Sequence, residues 1–248
     1  MKFRQYLLRK TALLVLLTLP ALLAAQNTGW SLFPSLGVDL GGAVPYPLSD
    51  IPKNANGTPK PNVNIGLGTE YRLTDRWSLG TELSYHVLAF SASADVISQP
   101  MYTDDHSTVM YFSGHTKTDV EIRFLQIPLV AGYNINSNWS FTPGVYYSLI
   151  LEGSFVTQGT DGVVSDNKND TDNATLPGIA SPTYNFNNNL DHWDAGLLAG
   201  FRYRLNKKVS FGTRFQVGFK SIFKKNFDNI DYEMYQVRVD LGATFNLL

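Results

Sequence analysis

Histidines, carboxylates and arginines are the residues in this sequence with types suited to chemistry. Four His occur, at His86, His106, His115 and His192, and Cys is absent, so thiolate catalysis, thiolate metal sites and disulfides are all excluded. A lipid hydrolase or acyltransferase needs a His beside a Ser on a lipid-accessible face. None of the four meets that condition: His86 falls on the polar face of a strand, His106 and His115 lie in a long loop, and His192 stands at the loop end of another strand. Asp166, Asn167, Asn169, Asp170, Asp172 and Asn173 supply oxygens of the kind calcium takes, but they lack the Gly and the distal Glu of a calcium loop and read as a solvated acidic loop. The remaining set is Asp39, Glu70, Glu82, Glu121, Glu152, Asp194 and Asp240 against Arg72, Arg123, Arg202, Arg204, Arg214 and Arg238. Nearly balanced and placed on one face of successive strands, these groups predict an internal ion-pair network, because buried charges persist only when paired. No catalytic, cofactor or metal site is expected.

The elements that position these charges are strands. From Trp193 to Leu205, apolar Trp193, Ala195, Leu197, Ala199, Phe201, Tyr203 and Leu205 alternate with Asp194, Gly196, Leu198, Gly200, Arg202 and Arg204. After Asn206-Lys207-Lys208 the alternation resumes with Val209, Phe211, Thr213, Phe215, Val217 and Phe219 opposite Ser210, Gly212, Arg214, Gln216 and Gly218. Period two means β, and a strand of about a dozen residues is long enough to cross a bilayer at a tilt. The turn of this hairpin, Tyr203-Arg204-Leu205-Asn206-Lys207-Lys208-Val209-Ser210-Phe211, recurs as Tyr71 to Leu79 and as Tyr133 to Phe141. Three short turns therefore lie at one end and four longer loops at the other, near 43–62, 91–116, 156–189 and 221–233.

Eight alternating segments can be counted, and both termini fall at the short-turn end. The prediction is an all-β, eight-stranded antiparallel up-and-down transmembrane barrel occupying residues 26–248. Residues 1–25 read as a secretory signal peptide: Lys2, Arg4, Arg9 and Lys10, then the apolar run from Leu13 to Leu23, then Ala24-Ala25, with cleavage before Gln26. Removing those four basic residues changes 20 Lys+Arg against 21 Asp+Glu to 16 against 21, a net charge of minus five that does not suit nucleic acid.

The polar face carries Gly37, Gly66, Gly68, Gly80, Gly144, Gly196, Gly200, Gly212, Gly218 and Gly242. On a water-facing strand these would only cost stability, whereas in a narrow lumen they leave room for long charged neighbours. The opposite face sets Tyr71, Trp77, Tyr133, Trp139 and Tyr203 beside the short turns, the aromatic belt that a membrane interface selects. The apolar face is accordingly expected to meet lipid, and eight strands enclose a space that side chains fill. In the fourth strand, Val120, Ile122 and Phe124 have opposite parity to Ile127, Leu129, Ala131 and Tyr133, which predicts a β-bulge at Leu125-Gln126.

The chain ends Asp240-Leu241-Gly242-Ala243-Thr244-Phe245-Asn246-Leu247-Leu248, an alternation similar to the last-strand signal that outer-membrane assembly machinery reads. Phe124-Leu125-Gln126-Ile127-Pro128-Leu129, followed by Gly132-Tyr133-Asn134, resembles the Leu-x-Ile-Pro-Leu stretch of the PorT-like outer-membrane β-barrel family. That resemblance implies a barrel in the outer membrane of a diderm bacterium, and it implies as one role an accessory component of a protein secretion system. The residues themselves point to a structural or surface-binding module acting through its extracellular loops, with outer-membrane lipid as surroundings and a protein or surface ligand as partner. A small porin and a lipid-modifying enzyme are the lesser alternatives.

Overall fold

The computed structural model describes residues 29–51, 53–102, 109–168, 183–225 and 233–247. The expected signal peptide and its cleavage site lie outside them, as do His106, Asn169, Asp170, Asp172, Asn173 and Leu248. Ten strands form: β1 (Trp30–Tyr46), β2 (Lys53–Lys60), β3 (Asn62–Arg72), β4 (Trp77–Tyr102), β5 (Val109–Asn134), β6 (Trp139–Ser165), β7 (Thr183–Asn185), β8 (Trp193–Arg204), β9 (Val209–Ser221) and β10 (Glu233–Phe245). Eight of them close a ring in the order β1, β3, β4, β5, β6, β8, β9, β10 and back to β1, every neighbour antiparallel. Through the rows where all eight strands pair, closure satisfies the backbone within the wall, which hydrocarbon demands. Two short extras attach above the closed ring, β2 to the edge of upper β4 that β3 leaves free and β7 to upper β6.

The three repeats make one turn chemistry. Thr74 Oγ1 accepts from the N–H groups of Arg76 and Trp77, Asn136 Oδ1 from Asn138 and Trp139, and Asn206 Oδ1 from Lys208 and Val209, all at 2.8–3.2 Å. A short polar side chain at one position thus fixes each turn. Register follows from the turns: paired residues sum to 150 across β3 and β4 and to 414 across β8 and β9, as in Glu70↔Gly80 and Arg202↔Gly212.

Alternation decides the faces. Leu36, Val63, Leu67, Leu83, Leu129, Leu197, Phe215 and Leu241 are exposed on the outside of the ring, while Asp39, Asn64, Glu82, Gln126, Gln216 and Asp240 are buried within it. Lower aromatic rings pair across strands beside the short turns, Trp30 with Tyr71, Trp77 with Tyr133 and Trp139 with Tyr203, at centroid distances of 4.9–5.0 Å. Trp30 joins the belt expected from Tyr71, Trp77, Tyr133, Trp139 and Tyr203. A second girdle stands higher, with Tyr147 stacked on Trp193 and Tyr46 edge-on to Tyr235. Trp193 and Tyr203 are ten residues apart on β8. At ~3.4 Å per residue and ~40° of tilt the two girdles are about 26 Å apart, which matches the ~25 Å apolar band of such barrels.

The expected bulge falls on a different strand. Pairing of β5 with β4 keeps a constant sum of 210 from Trp77↔Tyr133 to Val96↔Gly114, skipping only the two rows at Pro128, which has no N–H to give. The shift lies against β6, between Arg123↔Glu152 and Phe124↔Ile150, so Leu151 is the extra residue. Val120, Ile122, Phe124, Gln126 and Pro128 consequently share one inward face. The apparent change of parity is a change in what the lumen holds, from apolar above to polar below.

The long loops are also more regular than their sequence suggests. β4 and β5 run as a paired hairpin to Tyr102↔Val109, and β6 continues to Ser165, so strands of 26, 26 and 27 residues rise well beyond the outer girdle. Both faces of that extension lie beyond hydrocarbon, so no alternation marks it in the sequence.

Leu67 and Phe215 face lipid at mid-height. Replacing either by Arg is expected to cost on the order of 2–4 kcal/mol and to impair assembly, measured by urea titration of folding into liposomes, whereas Lys60→Arg above the girdle is expected to be neutral.

Candidate functional site

The lumen is built in storeys, and the lowest holds the charges. Arg202 on β8 bonds Glu70 on β3 at 2.6 Å across the barrel. Above it, Arg214 on β9 spans Glu82 on β4 at 2.8 Å and Asp240 on β10 at 3.2 Å, while Asn64 donates to the same Asp240 oxygen at 2.9 Å and Ser35 hydrogen-bonds Glu82. Glycines make this possible: a Cβ on Gly66 would run into the Glu82 carboxylate, and one on Gly200 would meet Arg214 Cγ at 3.0 Å. The void left among these groups is about 90 Å³, enough for water and too small for a solute path.

The next storey mixes a paired carboxylate and imidazole with a guanidinium held by amides and aromatic rings. Asp39 accepts from His86 Nδ1 at 2.6 Å, and Ser84 Oγ lies 2.9 Å from Nε2. Arg238 donates to Gln126 and, at 2.8 Å, to Gln216, with its guanidinium over the Phe124 ring at 4.6 Å. Tyr146 donates to Asp194 at 2.8 Å. Asp39, His86 and Asp240 offer ligand atoms within 4.8 Å of one another. The trio is poorly suited to a cation, because both imidazole nitrogens are already engaged and Arg214 and Arg238 bring positive charge to the same place.

Five residues expected in the buried network lie outside it. Glu121, Arg123 and Glu152 do not enter the lumen: Arg123 bonds Glu121 at 2.6 Å and Glu152 at 2.8 Å on the outside, and all three are exposed. With β5 unbroken, their parity is outward, and their height above the outer girdle keeps them out of hydrocarbon. Lys220 bonds Asp191 at 2.5 Å and covers the Trp193 ring at 3.9 Å. Arg72 is exposed at the short-turn mouth and Arg204 is half-buried there, its Nη1 only 3.5 Å from the Ser137 carbonyl, so neither is part of the buried network. Of the other His residues, His115 bonds Asp95 at 2.8 Å outside the ring and His192 is exposed.

Above the polar storeys sits an apolar stopper that periodicity did not reveal. Leu88, Phe90, Phe112, Ile122, Phe124 and Phe155 from the wall pack with Phe186, Leu190, Ile222 and Phe223, which the third and fourth loops fold into the lumen. The isolated apolar residues in otherwise polar loops were the available signal. Over the stopper, between the top of β1, the β2 strap and the rising β4–β6 sheet, lies a cavity of about 480 Å³ with Phe90, Phe155, Phe186 and Met234 as its floor. Among the described residues no titratable side chain lines it. It falls in the size range of ligand pockets, roughly 300–1,000 Å³, and is the candidate binding site.

Residues 24–224 match the model of the family described as outer membrane protein beta-barrel domain. The chain belongs to that family. It is a small transmembrane β-barrel of the bacterial outer membrane, embedded in lipid. No curated protein matches the sequence. Among solved structures, Ail, the attachment invasion locus protein of Yersinia pestis, aligns over 89% of this chain and 99% of its own at 10% identity and a TM-score of 0.43. Neisserial surface protein A aligns over 88% and 97% at 12% identity and 0.42. OprG of Pseudomonas aeruginosa aligns over 89% and 96% at 13% identity and 0.31.

The paired charges give a double-mutant test. Glu82→Leu or Arg214→Leu alone is expected to destabilise this family member by roughly 3–5 kcal/mol by stranding a buried partner, with the double change milder than the sum, read from unfolding midpoints in liposomes.

Proposed function

We propose that this protein is a non-conducting outer-membrane binding module, with a lumen serving as rigid support and an outer end that takes the ligand. The observation that carries this reading is the stopper over the ion-pair storeys, crowned by the 480 Å³ cavity. Two successive fillings of different chemistry leave no continuous aqueous path, and binding sites concentrate on loops held by a stiff scaffold. Asp39, His86 and Ser84 stand in hydrogen-bond order but are buried in the lumen away from lipid and from the outer cavity, so the reading is of a binder and not of a lipid-modifying enzyme. Residues 1–25 act in this account as an export leader, and the last strand, Asp240 to Leu247, as the segment that the assembly machinery recognises.

A finer reading, an accessory component of a secretion machine, rests on the PorT-like stretch Leu125 to Leu129. Cross-linking in intact cells separates the two. Adducts to surface ligands at the outer end support the binding module, and stoichiometric envelope proteins that survive purification support the accessory subunit.

Planar-bilayer recordings of the wild-type protein are expected to show no large steady conductance. A stable ion-conducting pore at neutral pH overturns the closed lumen and the binding-module reading with it.

A further inference from the structure

We infer that the outer cavity is a site for one aliphatic chain, of a membrane lipid or of a free fatty acid, and that the chain enters sideways through a seam in the wall between β1 and β2. This deepens the binding-module reading and rests on it.

The seam is visible in the backbone pairing. β1 pairs β3 only as far as Asp39↔Asn62. Above that row the chain of β2 pairs β4, from Lys60↔Ala89 to Lys53↔Asp95, and among the described residues no ladder joins β2 to residues 40–46 of β1. The sequence explains the parting: Pro45 on one bank and Pro59 and Pro61 on the other lack the N–H that a ladder needs. The cavity opens along this seam, with Gly41 to Pro45 and Ala55 to Pro59 as its two banks.

The lining specifies an uncharged occupant. Thr116 Oγ1 donates to the Ala94 carbonyl and Thr118 bonds Thr157 at 2.9 Å, so two of these three hydroxyl hydrogens are engaged within the protein. Among the described residues the lining carries no cationic side chain, so a carboxylate or phosphate inside would find no counter-charge, which is costly. A chain whose polar head stays at the surface avoids that cost.

The lip specifies the direction of entry. Val44 and Ile51 line the cavity and are 39% and 41% exposed on the outside, so apolar surface runs from the lining onto the lipid-facing wall. Tyr46 and Leu48, 62% and 64% exposed, continue that surface at the level where Tyr46 meets Tyr235 in the outer girdle. The mouth therefore lies at the outer edge of the hydrocarbon. Strand addition by a protein is the competing use of an open seam, and the prolines on both banks oppose it.

The test uses the full mature chain in phosphatidylcholine nanodiscs, with a diazirine on the acyl chain of phosphatidylcholine in one arm and on a free fatty acid in the other. Peptide mapping is expected to find adducts on Phe90, Ala92 or Ala94 as well as on lipid-facing Leu67 and Phe215. Cavity adducts from the lipid arm identify a lipid chain as the occupant, and cavity adducts from the fatty-acid arm alone identify a free acid. Ala92→Trp fills the cavity and is expected to lower its adducts about tenfold while leaving those on Leu67 and Phe215 unchanged. Thr118→Trp serves the same purpose should the first variant fail to assemble, as judged by heat-modifiable migration. Adducts confined to the lipid-facing wall in both arms, or cavity adducts insensitive to both fillings, overturn the proposal. That failure is distinct from failure of the binding-module reading, which is decided by conductance and by cross-linking at the cell surface.

Discussion

Arg214 on β9 is held between Glu82, on β4 across the lumen, and Asp240, its directly paired neighbour on β10. A guanidinium taken from water into so narrow a space costs several kcal/mol, and only close partners on two sides offset it. That requirement sets much else in the barrel. The strand register must bring residue 82 opposite residue 214 and leave Gly66 and Gly200 beside them, because a larger side chain at either position would occupy the space of the charge. Register in turn comes from three short turns fixed by Thr74, Asn136 and Asn206. A one-residue slip would turn every such charge into lipid.

The lumen then changes character with height. Below, long side chains of opposite sign tie distant strands together. Above, aromatic residues of the wall receive Phe186, Leu190, Ile222 and Phe223 from the loops, so the loops are anchored by burial and not by backbone pairing alone. This division has a functional consequence: the lower storeys stabilise the barrel, and the upper one shapes the surface on which a ligand rests. The cavity and its seam exist because the pairing of β1 with β3 ends at Asp39↔Asn62 while β2 follows β4, and the prolines nearby prevent the gap from closing.

The membrane-spanning part was legible in the sequence because lipid on one side and a crowded lumen on the other impose strict alternation. Glu70, Glu82, Arg202 and Arg214 could be placed inward on that ground, and their facing glycines could be read from turn symmetry. The same reasoning misplaced Glu121, Arg123 and Glu152, since nothing in the sequence says that the lumen turns apolar above Gln126 or that Leu151 is the bulged residue. The tall β4–β6 extension was read as loops, because its outer face meets water and its inner face mixes Phe112 and Val164 with Ala and Thr, so no steady hydrophobic period marks it. The cavity was illegible for a related reason: it is assembled from Gly, Ala, Ser and Thr of separate segments, none of which is distinctive alone.

The account depends most on which face of the wall meets lipid. Amide NMR of the protein in nanodiscs containing a lipid with a spin label on its acyl chain measures this along β8. Strong broadening at Leu197, Ala199 and Phe201, with Leu198, Gly200 and Arg202 spared, is the pattern this facing predicts. The reverse alternation, or uniform broadening along the strand, would contradict it.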